Sequence, residues 1–109
     1  VVDKGDNPLN FVDPSGTAMF VYSIQRGVEL GLLKAKEYTP VAYRGYQSLF
    51  PFIQVNDRGL VDVIGACDGV VIKKNFVEYV TVPKILNAKE AVAGILWAAV
   101  IMETEQLKK

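Results

Sequence analysis

Histidine is absent from the 109 residues, and cysteine occurs once, at Cys67. An internal disulfide, a Cys/His zinc site and a Ser–His–Asp triad are therefore excluded within this chain, since each needs a partner residue that is missing. Charge of one sign is missing too, because 12 Lys and Arg balance 12 Asp and Glu. Lys73-Lys74 and Lys108-Lys109 are too short and too far apart to track a phosphate backbone, so no nucleic-acid partner is expected. No apolar run reaches the roughly 18 residues of a membrane span. The longest, Ala91 to Met102, reads as a core helix, and no membrane partner is expected. The N-terminus lacks the basic-then-apolar pattern of a signal peptide and opens on Val-Val-Asp without a methionine, as expected of a chain that continues upstream. What is present is hydrophobic: 50% of residues are apolar and 22% charged, the balance of a folded globular chain rather than a disordered one.

The stretch Asp13-Pro14-Ser15-Gly16-Thr17-Ala18-Met19-Phe20 organises the rest. Asp13 suits an N-cap, because its carboxylate can accept bonds from first-turn amides, and Pro14 suits the first helical position, where no amide is needed. Thr17, Val21, Ile24, Val28 and Leu32 recur at steps of three and four, which predicts an amphipathic helix over 14–33. Met19, Tyr22 and Leu30 intrude on its polar side, so the helix is expected in the interior. Before it, Val1 to Leu9 reads as a polar lead-in loop.

Thr39-Pro40 repeats the cap-then-proline signal and predicts a second helix over 40–50, amphipathic and outer, antiparallel to the first because the connection is short, and stopped by Pro51. Asn56-Asp57-Arg58-Gly59 reads as a turn and Leu60-Val61-Asp62-Val63-Ile64 as a short strand. Gly65 to Lys84 has no sustained periodicity and reads as a long structured loop, of the length that is usually functional. Asn87-Ala88-Lys89-Glu90 has capping-box spacing and predicts a third helix over 88–107 whose middle is apolar all round. Such a helix needs neighbours on every side, and the rest of the chain cannot supply them. Either the chain is part of a larger helical domain or it is a non-catalytic helical interaction module that oligomerises through its apolar helices. The third helix has no polar face of its own, which favours the first.

Asp3-Lys4-Gly5-Asp6-Asn7-Pro8, the stretch from Asp13 to Phe20, Gly27-Val28-Glu29-Leu30-Gly31-Leu32-Leu33, Gly59 to Cys67 and Asn87 to Gly94 are together similar to the C-terminal third of glycoside hydrolase family 105. Its members are unsaturated rhamnogalacturonyl hydrolases and related unsaturated glucuronyl hydrolases. The chain departs from the family's usual pattern at Asp13-Pro14, where a Glu-Thr pair is common, and at Lys89-Glu90-Ala91 and Ala93, where many members carry more glycine. The resemblance implies a mainly α fold, a fragment of an (α/α)6 barrel with one short strand and a long structured loop, completed by the remaining N-terminal helices of the same barrel. It implies an unsaturated oligosaccharide substrate with a 4,5-unsaturated uronic acid at its non-reducing end. Protonation and hydration of the double bond then give a hemiketal that opens and releases the next sugar. No metal or organic cofactor is implied. The family's catalytic aspartate and assisting histidine lie upstream of the matched region, so no catalytic residue is assigned to this chain, which is expected to be inactive alone.

The first and third helices, separated by one outer helix, should run parallel and bring their N-termini and the long loop to one rim. Free amides at a helix N-terminus favour an anion such as a uronate carboxylate, which makes Ser15, Gly16 and Thr17 candidate substrate-binding residues. The same residue types serve equally to cap the helix and fill the core. Met19 and Trp97 read as core, Cys67 as a small buried hydrophobe and Asp68 as a turn residue. Phe76 and Tyr79 suit either a sugar ring or loop packing. Asp62 with Glu78 or Glu90 has the composition of a glycosidase carboxylate pair, but no spacing that brings the groups together.

Overall fold

The computed structural model describes residues 1–69 and 71–108. Val70 of the predicted loop and Lys109 of the terminal lysine pair lie outside them. Helix α1, Pro14–Glu29, begins at the cap signal: the Asp13 side chain accepts from the Ser15 amide at 2.8 Å. Its end comes earlier than the apolar periodicity suggests. Gly31 takes a positive φ of 75°, the Leu32 amide donates to the Gly27 carbonyl and the Gly31 amide to the Val28 carbonyl. This is a glycine-closed helix end that satisfies the last carbonyls and turns the chain back.

Helix α2 spans Ala35–Ser48 and starts five residues before the predicted Pro40. Ala35-Lys36-Glu37-Tyr38 are adequate helix formers, and the chain leaving α1 lets them close a first turn on the Lys34 carbonyl. Pro40 therefore sits inside the helix, where it removes one backbone bond, and Thr39 caps nothing: its hydroxyl is buried without a partner among the described residues. Pro51 falls in a 3-10 turn, Phe50–Phe52, that leads into strand β1, Ile53–Val55. Strand β2, Val61–Val63, lies within the predicted strand and pairs antiparallel with β1 across the Asn56–Gly59 turn, with Gln54 opposite Asp62.

The stretch read as a long loop holds three short elements. Strand β3, Ala66–Cys67, pairs antiparallel with β4, Lys84–Ile85, and the one-turn helix α3, Phe76–Val80, stands between them with Asn75 as its cap. Two-residue strands leave no periodic pattern to read. Helix α4, Lys89–Leu107, has Ala88 as N-cap and no side-chain cap bond. Asn87 does not form the expected capping box. Asn87 adopts φ 56° and is used on β2: its side chain accepts from the Val63 amide at 2.7 Å and donates to Asp62 at 2.9 Å, while its own amide donates to the Val63 carbonyl.

Helix α1 packs against both α2 and α4. Ala18, Val21, Ala42, Tyr46, Leu49, Ile95, Ala98 and Met102 form most of the core. Close approach depends on small residues. A Cβ at Gly94 would lie 3.2 Å from that of Ala18, and one at Gly45 would lie 2.7 Å from Val21 Cγ2. Gly94 faces Ala18, and Trp97, a turn further on, meets Tyr22 edge-on at 5.0 Å, so α1 and α4 run parallel. The Tyr46 hydroxyl donates to Glu103 at 2.7 Å and ties α2 to α4. Burial and then Glu103 push this phenol up to about 12.

The far side of the α1–α4 pair is open. Met19, Leu96, Trp97 and Val100 are 50%, 61%, 59% and 68% exposed, so the expectation that Met19 and Trp97 are core is not met within this chain. Their helices point these residues away from α2, which covers the opposite side. Among the described residues no helix is long and apolar enough to cross a membrane.

Candidate functional site

Two clefts meet at the N-terminus of α1 and share Val1, Phe11 and Asp13. The larger, ≈ 470 Å³, is completed by Cys67, Tyr79 and Val82. The smaller, ≈ 220 Å³, is completed on one side by Gly16, Thr17 and Phe20. Asp13 stands between them because it has two local tasks. One carboxylate oxygen caps α1, accepting from the Ser15 amide at 2.8 Å and the Ser15 hydroxyl at 2.6 Å. The other accepts from the Cys67 amide at 3.4 Å and so ties β3 to the helix start.

These bonds set the charges of the site. Burial raises the Asp13 pKa, but hydrogen bonds from Cys67 and Ser15 outweigh it and leave the pKa below its ordinary value, so Asp13 is an anion at neutral pH. Cys67 moves the other way. Burial first, then the bond and charge of Asp13, push the thiol up to about 11 against a smaller opposing effect of Lys84. Cys67 therefore keeps its proton and acts as a donor, not a nucleophile. This agrees with its reading as a buried residue, 8% exposed. Lys84 lies directly opposite Cys67 in the β3–β4 pair, and its ammonium stands 4.1 Å from the centre of the Phe11 ring.

Of the residues singled out in the sequence, Ser15, Gly16 and Thr17 lie together at the first turn of α1, with Gly16 and Thr17 on the smaller cleft. The Thr17 amide and hydroxyl both donate to the Asp13 carbonyl, at 3.2 and 3.3 Å. The Gly16 amide has no acceptor among the described residues, and a Cβ there would meet nothing within 4 Å. Tyr79 lines the larger cleft, whereas Phe76 opens α3 and does not. Asp68 is exposed. Asp62 accepts from Asn87 and Asn56, Glu90 faces a third cleft between α1 and α4, and the Glu78 carboxylate accepts from the Lys74 amide at 3.2 Å, so each of the three carboxylates has a different setting. Phe11 and Lys84 were not singled out in the sequence. They reach the site through the lead-in segment and a two-residue strand pairing, and neither has a local signature.

Two parallel helices whose starts lie at one end, with an antiparallel helix packed against them, fit the helical barrel that the resemblance implies. The chain belongs to glycosyl hydrolase family 88, whose family model matches residues 1–106. Among solved structures it is similar to a family 105 glycoside hydrolase of C. acetobutylicum ATCC 824, with a TM-score of 0.86 and 27% identity. That similarity covers 95% of this chain and 31% of the other, so the chain spans about a third of that hydrolase's length. No curated protein matches. The fold is mainly α and is that of part of the hydrolase barrel, as the resemblance implies.

Proposed function

We propose that the protein to which this chain belongs acts on oligosaccharides ending in a 4,5-unsaturated uronic acid, by hydrating the double bond. This chain supplies part of the barrel and one edge of the substrate pocket. The family 88 match across residues 1–106, in a fold shared with a family 105 hydrolase, is the observation that carries the reading. The edge is Ser15, Gly16 and Thr17. Ser15 and Thr17 spend their donors on Asp13, and the Gly16 amide, beside the smaller cleft at the positive end of α1, has no acceptor among the described residues and is the donor we assign to the uronate carboxylate. The acid that protonates the double bond lies in the rest of the barrel. The remaining helices of that barrel cover the open face of α1 and α4.

The test is to mix the full-length protein with lyase-generated oligosaccharides and follow the ultraviolet absorbance of the uronide double bond. Absorbance should fall as the terminal sugar is released. An unchanged absorbance across rhamnogalacturonan-, ulvan- and glycosaminoglycan-derived substrates would overturn the proposal.

A further inference from the structure

Aspartate stands at positions 3, 6, 13, 57, 62 and 68. An aspartate can close a ring on its own main chain when the amide nitrogen of the next residue reaches its side-chain carbonyl carbon, so the state of that following amide decides which of these residues can react. At five of them the amide is engaged or missing. The Lys4 amide donates to the Val1 carbonyl at 3.2 Å, the Asn7 amide to the Lys4 carbonyl at 3.0 Å, the Arg58 amide to Asn56 Oδ1 at 2.9 Å and the Val63 amide to Asn87 Oδ1 at 2.7 Å. Pro14, after Asp13, has no amide hydrogen. Asp68 is different. The Gly69 amide has no acceptor among the described residues, Asp68 is exposed, and a Cβ at Gly69 would meet nothing within 4 Å. Gly69, at φ 71°, also carries no side chain to hinder an approach to its nitrogen.

We propose that Asp68-Gly69 is a site of spontaneous covalent modification, at which Asp68 converts to isoaspartate through a cyclic imide. The Gly69 nitrogen attacks the side-chain carbonyl carbon of Asp68. A C–N bond forms, the amide hydrogen is lost, and one carboxyl oxygen leaves as water. Water then adds to one of the two ring carbonyls. Opening at the side-chain carbonyl restores aspartate, whereas opening at the main-chain carbonyl leaves the chain running through Cβ with the α-carboxylate free. No reagent other than water is consumed. The Asp68 amide, which donates to the Pro83 carbonyl at 3.0 Å beside the β3–β4 pair, lies before the altered bond. The pairing therefore survives, and the product is a folded chain with an added methylene in its main chain directly after β3. Nothing in this chemistry depends on the substrate. The competing view is that the bond to Pro83 holds Asp68 too rigidly for its carboxyl to meet the Gly69 nitrogen, so that only the unfolded chain reacts.

Time courses on the native protein separate the two views. The full-length protein is kept in neutral buffer beside a synthetic peptide of residues 64–73, and both are sampled over weeks by proteolysis, mass spectrometry and labelling with an isoaspartyl methyltransferase. The native protein should yield an Asp68 peptide lighter by one water, and another of unchanged mass with shifted elution and a methyl-accepting carboxyl. Their rate should lie within about ten-fold of the free peptide's, as for a loop whose opening costs little. Peptides holding Asp3, Asp6, Asp57 and Asp62 should stay unmodified. Asp68→Glu should abolish both products, because the ring would be larger and slower to close. Gly69→Asn should slow them, since its side chain crowds the nitrogen while a positive φ is still tolerated. A native protein that stays unmodified at Asp68 while the peptide converts, products that persist in Asp68→Glu, or isoaspartate arising equally at the other aspartates would overturn the inference.

Discussion

Asp13 is where the fold and the candidate site depend on one side chain, and its replacement can be worked through in parts. Asp13→Ala removes the cap, at a cost of about 1 kcal/mol. It also removes the acceptor of the Ser15 hydroxyl, a short bond to a charged group that water can partly replace, for about 1 kcal/mol more. The 3.4 Å contact from the Cys67 amide is long and adds little. The expected loss is therefore ~2 kcal/mol by urea denaturation. Asp13→Asn keeps a capping oxygen but not the charge, and should lose about half as much. The pH dependence separates charge from shape. The folded pKa of Asp13 lies below its ordinary 3.8, so the carboxylate's contribution is complete above that value and is lost as pH falls through the folded pKa. The gap between wild type and Asp13→Asn should be constant from neutral pH down to about pH 5 and narrow as pH falls below 3.8 and the folded carboxylate takes up its proton. A gap unchanged at low pH would show that Asp13 acts by shape alone and would refute the charge assigned to it.

Other perturbations follow from the close contacts. Alanine normally gains about 1 kcal/mol over glycine inside a helix. At Gly45, however, the new Cβ would stand 2.7 Å from Val21 Cγ2, on a β-branched side chain with one favoured rotamer. Gly45→Ala should therefore cost up to ~2 kcal/mol, and the sign should reverse in a Val21→Ala background; a gain in the wild-type background would refute the contact. Cys67 should alkylate slowly with iodoacetamide at neutral pH and speed up only towards its pKa of about 11. Because this pKa is raised above the ordinary 9.0, its contribution to stability is complete below that pH and declines between it and about 11. Fast labelling of the native protein at neutral pH would contradict a protonated, buried thiol.

The parts of this fold that were legible in the sequence are those in which local and tertiary signals agree. Asp13-Pro14 caps a helix because a carboxylate and a missing amide have the same meaning at any helix start. Asn56–Gly59 turns a hairpin because the Asn56 side chain accepts from the Arg58 and Leu60 amides within its own loop. Thr39-Pro40 gave the same cap signal as Asp13-Pro14 and did not start a helix, because the closed end of α1 delivers the chain to Ala35 ready to coil. Asn87 reads as a cap from local sequence because its true partner, Val63, lies 24 residues away, beyond any local pattern. The larger cleft was illegible for a related reason. Phe11, Cys67 and Tyr79 come from three segments, the lead-in, a strand of two residues and a helix of five.

Helix α4 shows what periodicity can and cannot say. Its all-round apolar middle predicts neighbours on every side, and the chain provides them on one: Ala91, Ile95, Ala98, Ile101 and Met102 are buried, while Leu96, Trp97 and Val100 face outward. Fully burying side chains of this kind is worth about 1.5–3 kcal/mol each, so covering these three and Met19, each already about half shielded, would contribute roughly 3–6 kcal/mol. That is comparable with the whole stability of a small domain, about 5–15 kcal/mol. A surface of this energetic weight, on two parallel helices whose outer sides are already packed, has the geometry of a barrel's inner wall rather than of a solvent face. The chain spans 31% of the similar hydrolase, and under the proposed function the rest of the same barrel supplies the wall's other contributors. The proposed uronide edge lies at the end of that wall where α1 begins, the rim at which the proposed reaction needs its acid.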